Sequence, residues 1–393
     1  MALLDFVLVG AAVLTLIPVT VLVIEVALAV TLSRKPLAPA SGRPAVAVVI
    51  PAHDEGAIIA DTLRAIRPQI RSADRLIVVA DNCLDDTAAL AVAEGADVLT
   101  RNDPLHRGKG YALDFAVRHL VTDPPEVVLF IDADCRTDAH SIDLLAARCA
   151  HTQRPAQALY LMHAPAGAGP FTRVAEFAWT IKNQVRPLGM ARLGLPCQLM
   201  GTGMAFPWAC IMAVSLATEH IAEDIKLGIE LARAGMPPVF CPEARVTSFF
   251  PRSDQGLRTQ RTRWEHGQLG FALSTAPRLL VQALAARDMP LLSLVLDLCV
   301  PPLALLLLLS VTAWIASGLF WYLTAHARAA FLLTTAALLL LALSVLLAWA
   351  RFGRGTLSLA TLALGGVYAL RKLPLYARFL INRQVDWVRS KRD

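Results

Sequence analysis

Acidic residues follow an apolar run in the first half of this chain, and a second acidic pair opens a helical pattern further on. Asp132 and Asp134 come directly after the apolar run 127–131. Glu223 and Asp224 precede apolar residues at helical spacing. Carboxylates bind hard divalent cations and accept protons from reacting groups. These four residues are therefore the first candidates for chemistry.

Asp132 and Asp134 are separated by a single residue. Alternate residues of an extended strand point in the same direction, so both carboxylates can face one site. Two such oxygen donors suit Mg²⁺ or Mn²⁺, which would neutralise the charge of a departing diphosphate. The alternative is an ordinary turn, where aspartate is common.

Glu223 and Asp224 lie at the start of an apparent helix. A transfer in which a hydroxyl attacks a carbon centre needs a base to take the hydroxyl proton, and Asp224 is the candidate, with Glu223 beside it. The alternative is that two acids in a first turn only complement the helix dipole.

Gln260, Arg263 and Trp264 form a QxxRW pattern shortly before the apolar C-terminal part. The guanidinium suits diphosphate charge that grows during a transfer, and the indole can face the apolar side of a sugar. The alternative is an amphipathic interfacial helix, in which Arg258, Arg261 and Arg263 lie near lipid headgroups.

The elements that must position these residues alternate between strand and helix patterns. Residues 45–50, 76–80 and 127–131 are short apolar runs typical of buried strands, while 56–66 and 85–93 have helical patterns. This alternation predicts an α/β sheet, which places ligands at the carboxyl ends of its strands. No GxGxxG follows the first strand, so a dinucleotide site is poorly supported.

Composition indicates an integral membrane protein. Hydrophobic residues make up 56% of the 393 residues, and the mean hydropathy is +0.53. Residues 6–24, 298–325 and 329–350 carry no charge, and each run is long enough to cross a bilayer core. The alternative for the first run is a signal peptide, but it is long and ends in Ser-Arg-Lys instead of small residues.

We expect three parts. These are an N-terminal transmembrane helix in 1–35, a cytoplasmic α/β domain in 40–270, and interfacial helices with a transmembrane hairpin in 271–393. The cations after the first span place the middle domain in the cytoplasm. They are Arg34, Lys35 and Arg43. The expected location is the inner (plasma) membrane.

The last apolar stretch, residues 355–370, has only 16 residues and contains two adjacent glycines. The tail 371–393 has seven Lys and Arg against two Asp, a net charge of +5. Exporting this tail would oppose the charge rule. We therefore expect a re-entrant or interfacial segment with a cytoplasmic tail, and a fourth span is the alternative.

The order of these motifs resembles the D, DxD, ED and QxxRW series of membrane-bound family 2 glycosyltransferases. The motifs are Asp81, Asp132-Ala133-Asp134, Glu223-Asp224 and Gln260 to Trp264. The resemblance covers about 45–268, and the family includes cellulose, hyaluronan and chitooligosaccharide synthases, with ceramide-glucosyltransferase relatives. It implies an α/β GT-A (Rossmann-like) domain plus transmembrane and interfacial α-helices, an inverting mechanism, a divalent metal and a UDP-sugar donor.

The resemblance also implies roles for individual residues. Asp134 would be the metal ligand with Asp132 nearer the nucleotide, and Asp81 would contact the base or ribose, although Ala80 departs from the family's paired aspartates. The implied donor-binding residues are Glu55, which is favoured over His53, with Asp81, Lys109, Asp132, Gln260 and Arg263. The implied acceptor residues are Gly201, Thr202 and Trp264. A solvated basic loop is the alternative for Lys109, and a structural turn is the alternative for Gly201.

The acceptor is expected to be a growing polysaccharide, with a membrane lipid as the alternative and a non-catalytic scaffold as a weaker one. A transporter is disfavoured because Glu25 and Asp297 are the only charges in or beside the apolar segments that could suggest a path. Expected partners are the nucleotide sugar, the glycan or lipid acceptor and membrane lipids; an oligomer stays open. No basic run interleaves with aromatics, which disfavours nucleic acid. The seven cysteines have no zinc spacing and fit reduced packing residues.

Overall fold

The computed structural model describes residues 2–31 and 42–383. These residues form two compact units. The sheet unit comprises residues 42–163 and 195–267, and the helical unit comprises residues 2–31, 164–194 and 268–383.

The sheet unit is built on eight strands. Their bounds are β1 Val46–Ala52, β2 Arg75–Asp81, β3 Asp97–Arg101, β4 Val127–Phe130, β5 Arg136–Thr137, β6 Ala156–His163, β7 Met204–Pro207 and β8 Val239–Phe249. The strand order is β3-β2-β1-β4-β7-β6-β8-β5. The first four in that order are parallel, β7 is antiparallel to both β4 and β6, β6 and β8 are parallel, and β5 is antiparallel to β8.

Sixteen α-helices complete the described chain. They are α1 Ala2–Thr31, α2 Ile59–Ile66, α3 Thr87–Ala93, α4 Lys109–Leu120, α5 Ser141–Thr152, α6 Pro170–Thr180, α7 Arg186–Arg192, α8 Trp208–Met212, α9 Glu223–Arg233, α10 Asp254–Ala286, α11 Met289–Leu298, α12 Leu303–Thr324, α13 Arg328–Ala348, α14 Leu359–Ala363, α15 Gly365–Leu370 and α16 Leu373–Ile381. Arg67–Gln69 is a 3-10 turn, and Ile181–Val185 and Trp349–Gly353 are single π-helical turns.

The strands of the sheet unit form as the sequence predicts because their apolar runs are buried on both faces. Every residue of β4 is buried, and so is all but one residue of β1. Phe130 on β4 and Phe206 on β7 are fully buried with ring centroids 5.2 Å apart. Truncating either to alanine would cost about 3–5 kcal/mol. This packing fixes the strand ends at which the acidic motifs begin.

The helical unit packs α1, α12 and α13 around an apolar core. Val19, Leu22 and Val26 of α1 share that core with Ala337 and Leu341 of α13. Four helices are long and apolar enough to cross a membrane: the stretch Leu3–Thr31, then α10, α12 and the stretch Arg328–Gly353. No transmembrane span was predicted at α10, because its first half is charged and only its second half is apolar.

Residues 164–194 depart from the predicted domain layout. They lie within the expected 40–270 domain, yet α6, the π turn and α7 belong to the helical unit. Gly189 of α7 lies so close to α1 that a methyl group there would sit 2.0 Å from the Glu25 carbonyl oxygen. Only glycine permits this approach, which explains why the segment packs on α1.

Glu25, Arg186 and Asp297 form a buried ionic triad in the helical unit. Arg186 Nε donates to Glu25 Oε2 at 3.0 Å, and its Nη2 donates to Asp297 Oδ1 at 2.7 Å. Glu25 is fully buried and Arg186 is 5% exposed. The two charges that the sequence analysis found in apolar surroundings therefore share one partner, as buried charges require.

The structure agrees with some sequence predictions about the apolar segments and differs from others. The span predicted at 298–325 begins only at Leu303, after two prolines. Residues 355–370 are broken into α14 and α15, too short to cross. Arg43, expected to flank the first span, instead forms ion pairs with Asp74 and Asp143 in the sheet unit. Arg34, Lys35 and residues 384–393 lie outside the described residues.

Candidate active site

A cleft opens where the carboxyl ends of β1, β2 and β4 meet. This is the edge at which parallel strands of an α/β sheet present ligand-binding groups. The cleft spans about 720 Å³, a volume that includes the solvent at its open mouth. Its polar lining residues are His53, Glu55, Asp81, Asn82, Arg107, Lys109, Asp132, Asp134 and Arg263. Six of the predicted donor or metal residues therefore lie in one cleft.

The turn that carries Asp132 and Asp134 is held by three neighbouring elements. Thr62 of α2 donates to the Ala133 carbonyl at 2.6 Å, and the Asp132 N–H donates to Thr202 Oγ1 at 3.0 Å. Ser248 of β8 donates to Asp134 Oδ2 at 3.2 Å. These bonds fix the backbone and orient the second carboxylate into the cleft. Thr62 and Ser248 belong to no sequence motif and were therefore not predicted.

Potential metal ligands converge at this turn. A carboxylate oxygen of Asp132, one of Asp134 and the Cys135 sulfur all lie within 4.8 Å of one another. Burial, together with the two aspartates, raises the pKa of the Cys135 thiol well above its usual value, so the thiol stays protonated. A protonated thiol is a poor ligand. The two carboxylates are therefore the groups that could hold a hard cation.

Asp81, at the end of β2, is held by a cation that the sequence analysis did not single out. Arg101 Nη1 lies 2.6 Å from Asp81 Oδ1, and Asn82 also donates to that oxygen at 3.0 Å. Burial raises the pKa of Asp81, and Arg101 opposes that rise. Arg101 is the register partner of Asp81 across β2 and β3. Pairing the ends of the two predicted strands would have found it.

Lys109 connects the two acidic motifs. It begins α4, and its Nζ donates to the carboxylate of Asp132 and, at 2.6 Å, to the carbonyl of Gly201. Burial lowers the pKa of Lys109, but the carboxylates of Asp132, Glu223 and Asp224 outweigh that effect and raise it. The ammonium therefore stays charged. A solvated basic loop, the alternative that the sequence left open, does not describe this side chain.

The Gly201-Thr202-Gly203 turn forms hydrogen bonds that position the neighbouring site residues. Gly201 and Gly203 have φ of +86° and +63°, which side chains with a Cβ rarely adopt. Thr202 is fully buried, and its hydroxyl accepts the Asp132 N–H. The direct acceptor contact expected for Thr202 stays a prediction, whereas its burial favours a supporting role. Gly201 directs its carbonyl to Lys109.

Glu223 and Asp224 open α9, as the sequence predicts. Asp224 Oδ1 accepts the N–H of Ile225 at 2.8 Å. A methyl group at Gly201 would lie 3.5 Å from Asp224 Oδ2 and 3.8 Å from Lys109 Nζ, so these groups are neighbours. Burial and the adjacent Asp224 raise the pKa of Glu223 to about 7. Glu223 is thus partly protonated at neutral pH.

The QxxRW residues share one face of α10, because positions i, i+3 and i+4 of a helix are neighbours. Arg263 lines the cleft and is near enough to Glu223 to lower the pKa of that carboxyl, against the larger effect of burial. Gln260 is 2% exposed, and its Oε1 has no hydrogen-bond partner among the described residues. Trp264 is half-buried beside Arg263. Within the described chain, neither Gln260 nor Trp264 is part of the cleft lining.

His53 and Glu55 follow β1 and both line the cleft. His53 Nδ1 lies 2.7 Å from the carbonyl oxygen of Asp81, and the Glu55 N–H donates to Thr87 Oγ1 at 2.8 Å. Asp85, two residues before the start of α3, accepts the Thr87 N–H at 3.0 Å. The preference for Glu55 over His53 stays a prediction, because both side chains reach the same space.

Comparison with known proteins gives relatives that share part of this chain. Glucosyl-3-phosphoglycerate synthase of Mycobacterium tuberculosis is 37% identical over 95 residues, which is 23% of this chain and 28% of that protein. The synthase of Mycolicibacterium paratuberculosis matches with the same figures. The chain thus spans under a third of the length of these curated relatives.

A solved structure resembles nearly the whole chain in fold. It is the mannosyltransferase PcManGT from Pyrobaculum calidifontis in complex with GDP-Man and Mn²⁺, which is 15% identical with a TM-score of 0.57. The match covers 96% of this chain and all of that one. At this identity the likeness shows the GT-A fold alone.

The sequence family described as Glycosyltransferase like family 2 matches residues 44–267. That range is more than half of the chain and contains the strands, the cleft and the five acidic motif residues Asp81, Asp132, Asp134, Glu223 and Asp224. The chain therefore belongs to glycosyltransferase family 2.

Proposed function

We propose that this protein is an inverting, metal-dependent glycosyltransferase that moves a sugar from a nucleotide sugar to an acceptor held at the cytoplasmic membrane face. The observation that carries the proposal is Lys109, whose ammonium contacts Asp132 and lies beside Asp224. This contact brings the predicted diphosphate-binding turn and the predicted base into one site. Family membership supplies the reaction class.

The cleft fits a divalent cation. Asp132 and Asp134 are oxygen donors on one turn, separated by Ala133, and Ser248 orients the second of them. Such a donor set suits Mg²⁺ or Mn²⁺. When bound there, the cation would neutralise negative charge on the departing nucleoside diphosphate. The mannosyltransferase from Pyrobaculum calidifontis, described with Mn²⁺, supports this expectation.

Asp224 would act as the base. An acceptor hydroxyl would lose its proton to the Asp224 carboxylate as its oxygen bonds to the anomeric carbon and the bond to the diphosphate breaks. Attack from the face opposite the leaving group inverts that carbon. Arg263 and Lys109 provide positive charge toward which the leaving diphosphate can move. Glu223, with its pKa of about 7, is partly protonated at neutral pH and is therefore not assigned the role of base.

Packing in the helical unit favours a lipid acceptor over a secreted polysaccharide, whereas the sequence patterns favoured the polysaccharide. Among the described helices, α1, α12 and α13 enclose an apolar core. Their facing polar groups bond to each other, as Ser317 and Thr334 do at 3.0 Å. A methyl group at Gly318 would meet Phe331 at 3.0 Å. Within this bundle of described helices, no path lined by free polar groups is available to a sugar chain.

The donor base stays open between two classes. The resemblance of the motifs implies a UDP-sugar, whereas the matched mannosyltransferase is described with GDP-Man. Both donors are cytoplasmic metabolites, which supports a cytoplasmic sheet unit and a bilayer crossed by α1, α12 and α13, with the α10 crossing open.

The test is transfer by the full chain in nanodiscs. Radiolabelled UDP- and GDP-sugars are supplied with Mg²⁺ or Mn²⁺ and a membrane lipid extract, and products are split into solvent-extractable lipid and precipitable polymer. We expect label in the lipid fraction, lost in Asp224→Asn and kept in Asp123→Asn, an exposed carboxylate outside the cleft. Label in polymer would restore the polysaccharide hypothesis, and no metal-dependent label with any donor would contradict the proposal.

A further inference from the structure

The end of α13 is followed by a stretch that is cationic throughout. Residues 349–383 contain six Lys and Arg and no Asp or Glu. Its cations are Arg351, Arg354, Arg371, Lys372, Arg378 and Arg383, and all but Lys372 are exposed. Such a one-sided composition is uncommon on a folded surface that faces only water, where both signs normally mix.

Contacts within the helical unit gather part of this stretch around α6. The Arg371 guanidinium stacks over the Phe171 ring at 4.5 Å, and the Thr356 carbonyl accepts a bond from Arg173 at 3.5 Å. A methyl group at Gly353 would lie 2.6 Å from the Phe177 ring. Cations from α6, from the turn after α13 and from the α15–α16 junction thus form one surface, here termed the basic face.

Apolar side chains stand beside those cations without cover. In α16, Leu373, Leu380 and Ile381 are 49%, 84% and 87% exposed. They lie on one side of the helix together with Ala377, and the buried Tyr376 borders that side, three residues after Leu373 and four before Leu380. Leu370, just before α16, is 56% exposed. An exposed apolar stripe flanked by arginines is the pattern of a helix that lies in the headgroup layer of a bilayer.

We propose that the basic face binds the anionic leaflet of the membrane, by contact with the phosphate groups of acidic phospholipids. The inference rests on the proposed membrane insertion of α13. A second copy of this chain is disfavoured, because two basic faces would repel each other. Free phosphate would not account for the apolar stripe. A bilayer rich in acidic lipid satisfies both the charge and the exposed leucines.

The experiment measures lipid contact without using the reaction. Leu380→Cys carries an environment-sensitive maleimide fluorophore, and the parent protein, whose native cysteines are buried or half-buried, serves as the labelling blank. The protein is placed in nanodiscs that contain brominated phosphatidylglycerol or brominated phosphatidylcholine at equal mole fraction. Bromine quenches the fluorophore only when the lipid chain touches it.

We expect stronger quenching by the anionic lipid, and a loss of that preference at high salt. Arg371→Gln combined with Arg378→Gln should lower the preference at least fivefold, since each cation near an anionic surface contributes about fivefold. The matched control removes two exposed cations of the sheet unit, Arg118→Gln with Arg233→Gln, and should leave the preference unchanged.

Equal quenching of the labelled Leu380→Cys protein by both lipids would overturn the anionic preference. An equal loss of the preference in the control variant, Arg118→Gln with Arg233→Gln, would overturn it too. Absence of quenching by either lipid would mean that the basic face meets water or protein instead of a bilayer. These readings need neither donor nor acceptor. A failed transfer assay with intact lipid preference would therefore reject the proposed reaction alone.

Discussion

Replacing Asp224 with asparagine is the sharpest test of the proposed chemistry. Asparagine keeps the shape of the side chain, and its amide oxygen can still accept the Ile225 N–H that Asp224 Oδ1 accepts at 2.8 Å. The start of α9 should therefore be preserved. What is lost is the negative charge and with it the ability to take the acceptor proton.

The size of the effect follows from the site. Removing a positioned base slows the chemical step by about 10²–10⁴-fold, equivalent to roughly 3–5 kcal/mol of activation free energy. Donor binding should change little, because Asp132, Asp134 and Arg263 are untouched. Glu223→Gln is the matched control on the adjacent residue. Because the pKa of Glu223 is about 7, the neutral amide mimics a form already populated at neutral pH, and we expect only a few-fold change.

The assay is single-turnover transfer with saturating donor, paired with calorimetric binding of the nucleoside diphosphate in the presence of metal. The reasoning fails if Asp224→Asn keeps more than a tenth of the parent rate. It also fails if Glu223→Gln is the slower of the two variants, since the base would then be Glu223. A collapse of nucleotide affinity in Asp224→Asn would make Asp224 a donor ligand.

Four further outcomes are expected. Asp134→Ala should abolish metal-dependent turnover in a protein that still folds, and unchanged turnover across a metal titration from zero would reject its ligand role. The folded pKa of Glu223, about 7, lies above its ordinary 4.5, so the stability it contributes is full below pH 4.5 and is lost as the pH rises to about 7. Glu223→Gln should remove that decline in stability, which amounts to roughly 1–2 kcal/mol after allowance for partial exposure. Identical pH dependence of the melting temperature in the parent and the variant would contradict the raised pKa. Arg186→Met leaves the buried Glu25 and the partly buried Asp297 without their cation and should cost about 3–5 kcal/mol. An unchanged melting temperature in detergent would contradict this expectation. A thiol reagent should reach Ala325→Cys from outside intact cells and Ala360→Cys only after permeabilisation, and the reverse pattern would invert the topology.

The sequence predicted the sheet well because its strands are short, wholly apolar and followed by polar residues. β1, β2 and β4 fall within one or two residues of the predicted runs. The motif residues were found for the same reason, since strand ends meet at one edge of a sheet. Arg101 was not predicted as a site residue, because the sequence around it matches no motif. Its pairing with Asp81 is visible only in the register of β2 and β3.

The membrane part was harder to predict because it depends on contacts between distant segments. Residues 164–194 resemble any amphipathic insertion in a soluble domain. Their assignment to the helical unit depends on Gly189 and Arg186, which meet α1 at Glu25, 161 residues away from Arg186 in the chain. α10 was likewise not predicted, because the predicted spans were charge-free runs and the apolar half of α10 contains Arg278.

The charges of the site explain why its parts depend on one another. Asp132, Glu223 and Asp224 lie near enough to Lys109 to raise the pKa of its ammonium, and a fourth carboxylate, that of Asp134, lines the same cleft together with Arg263. With all four ionised, the cluster would carry two uncompensated negative charges in a partly buried place, which is costly. Protonation of Glu223 removes one of them, and a divalent cation at the aspartate turn would more than offset the one that remains. The same excess of negative charge would repel a diphosphate that arrived alone, so we expect donor binding to require the metal, while the metal itself binds without donor.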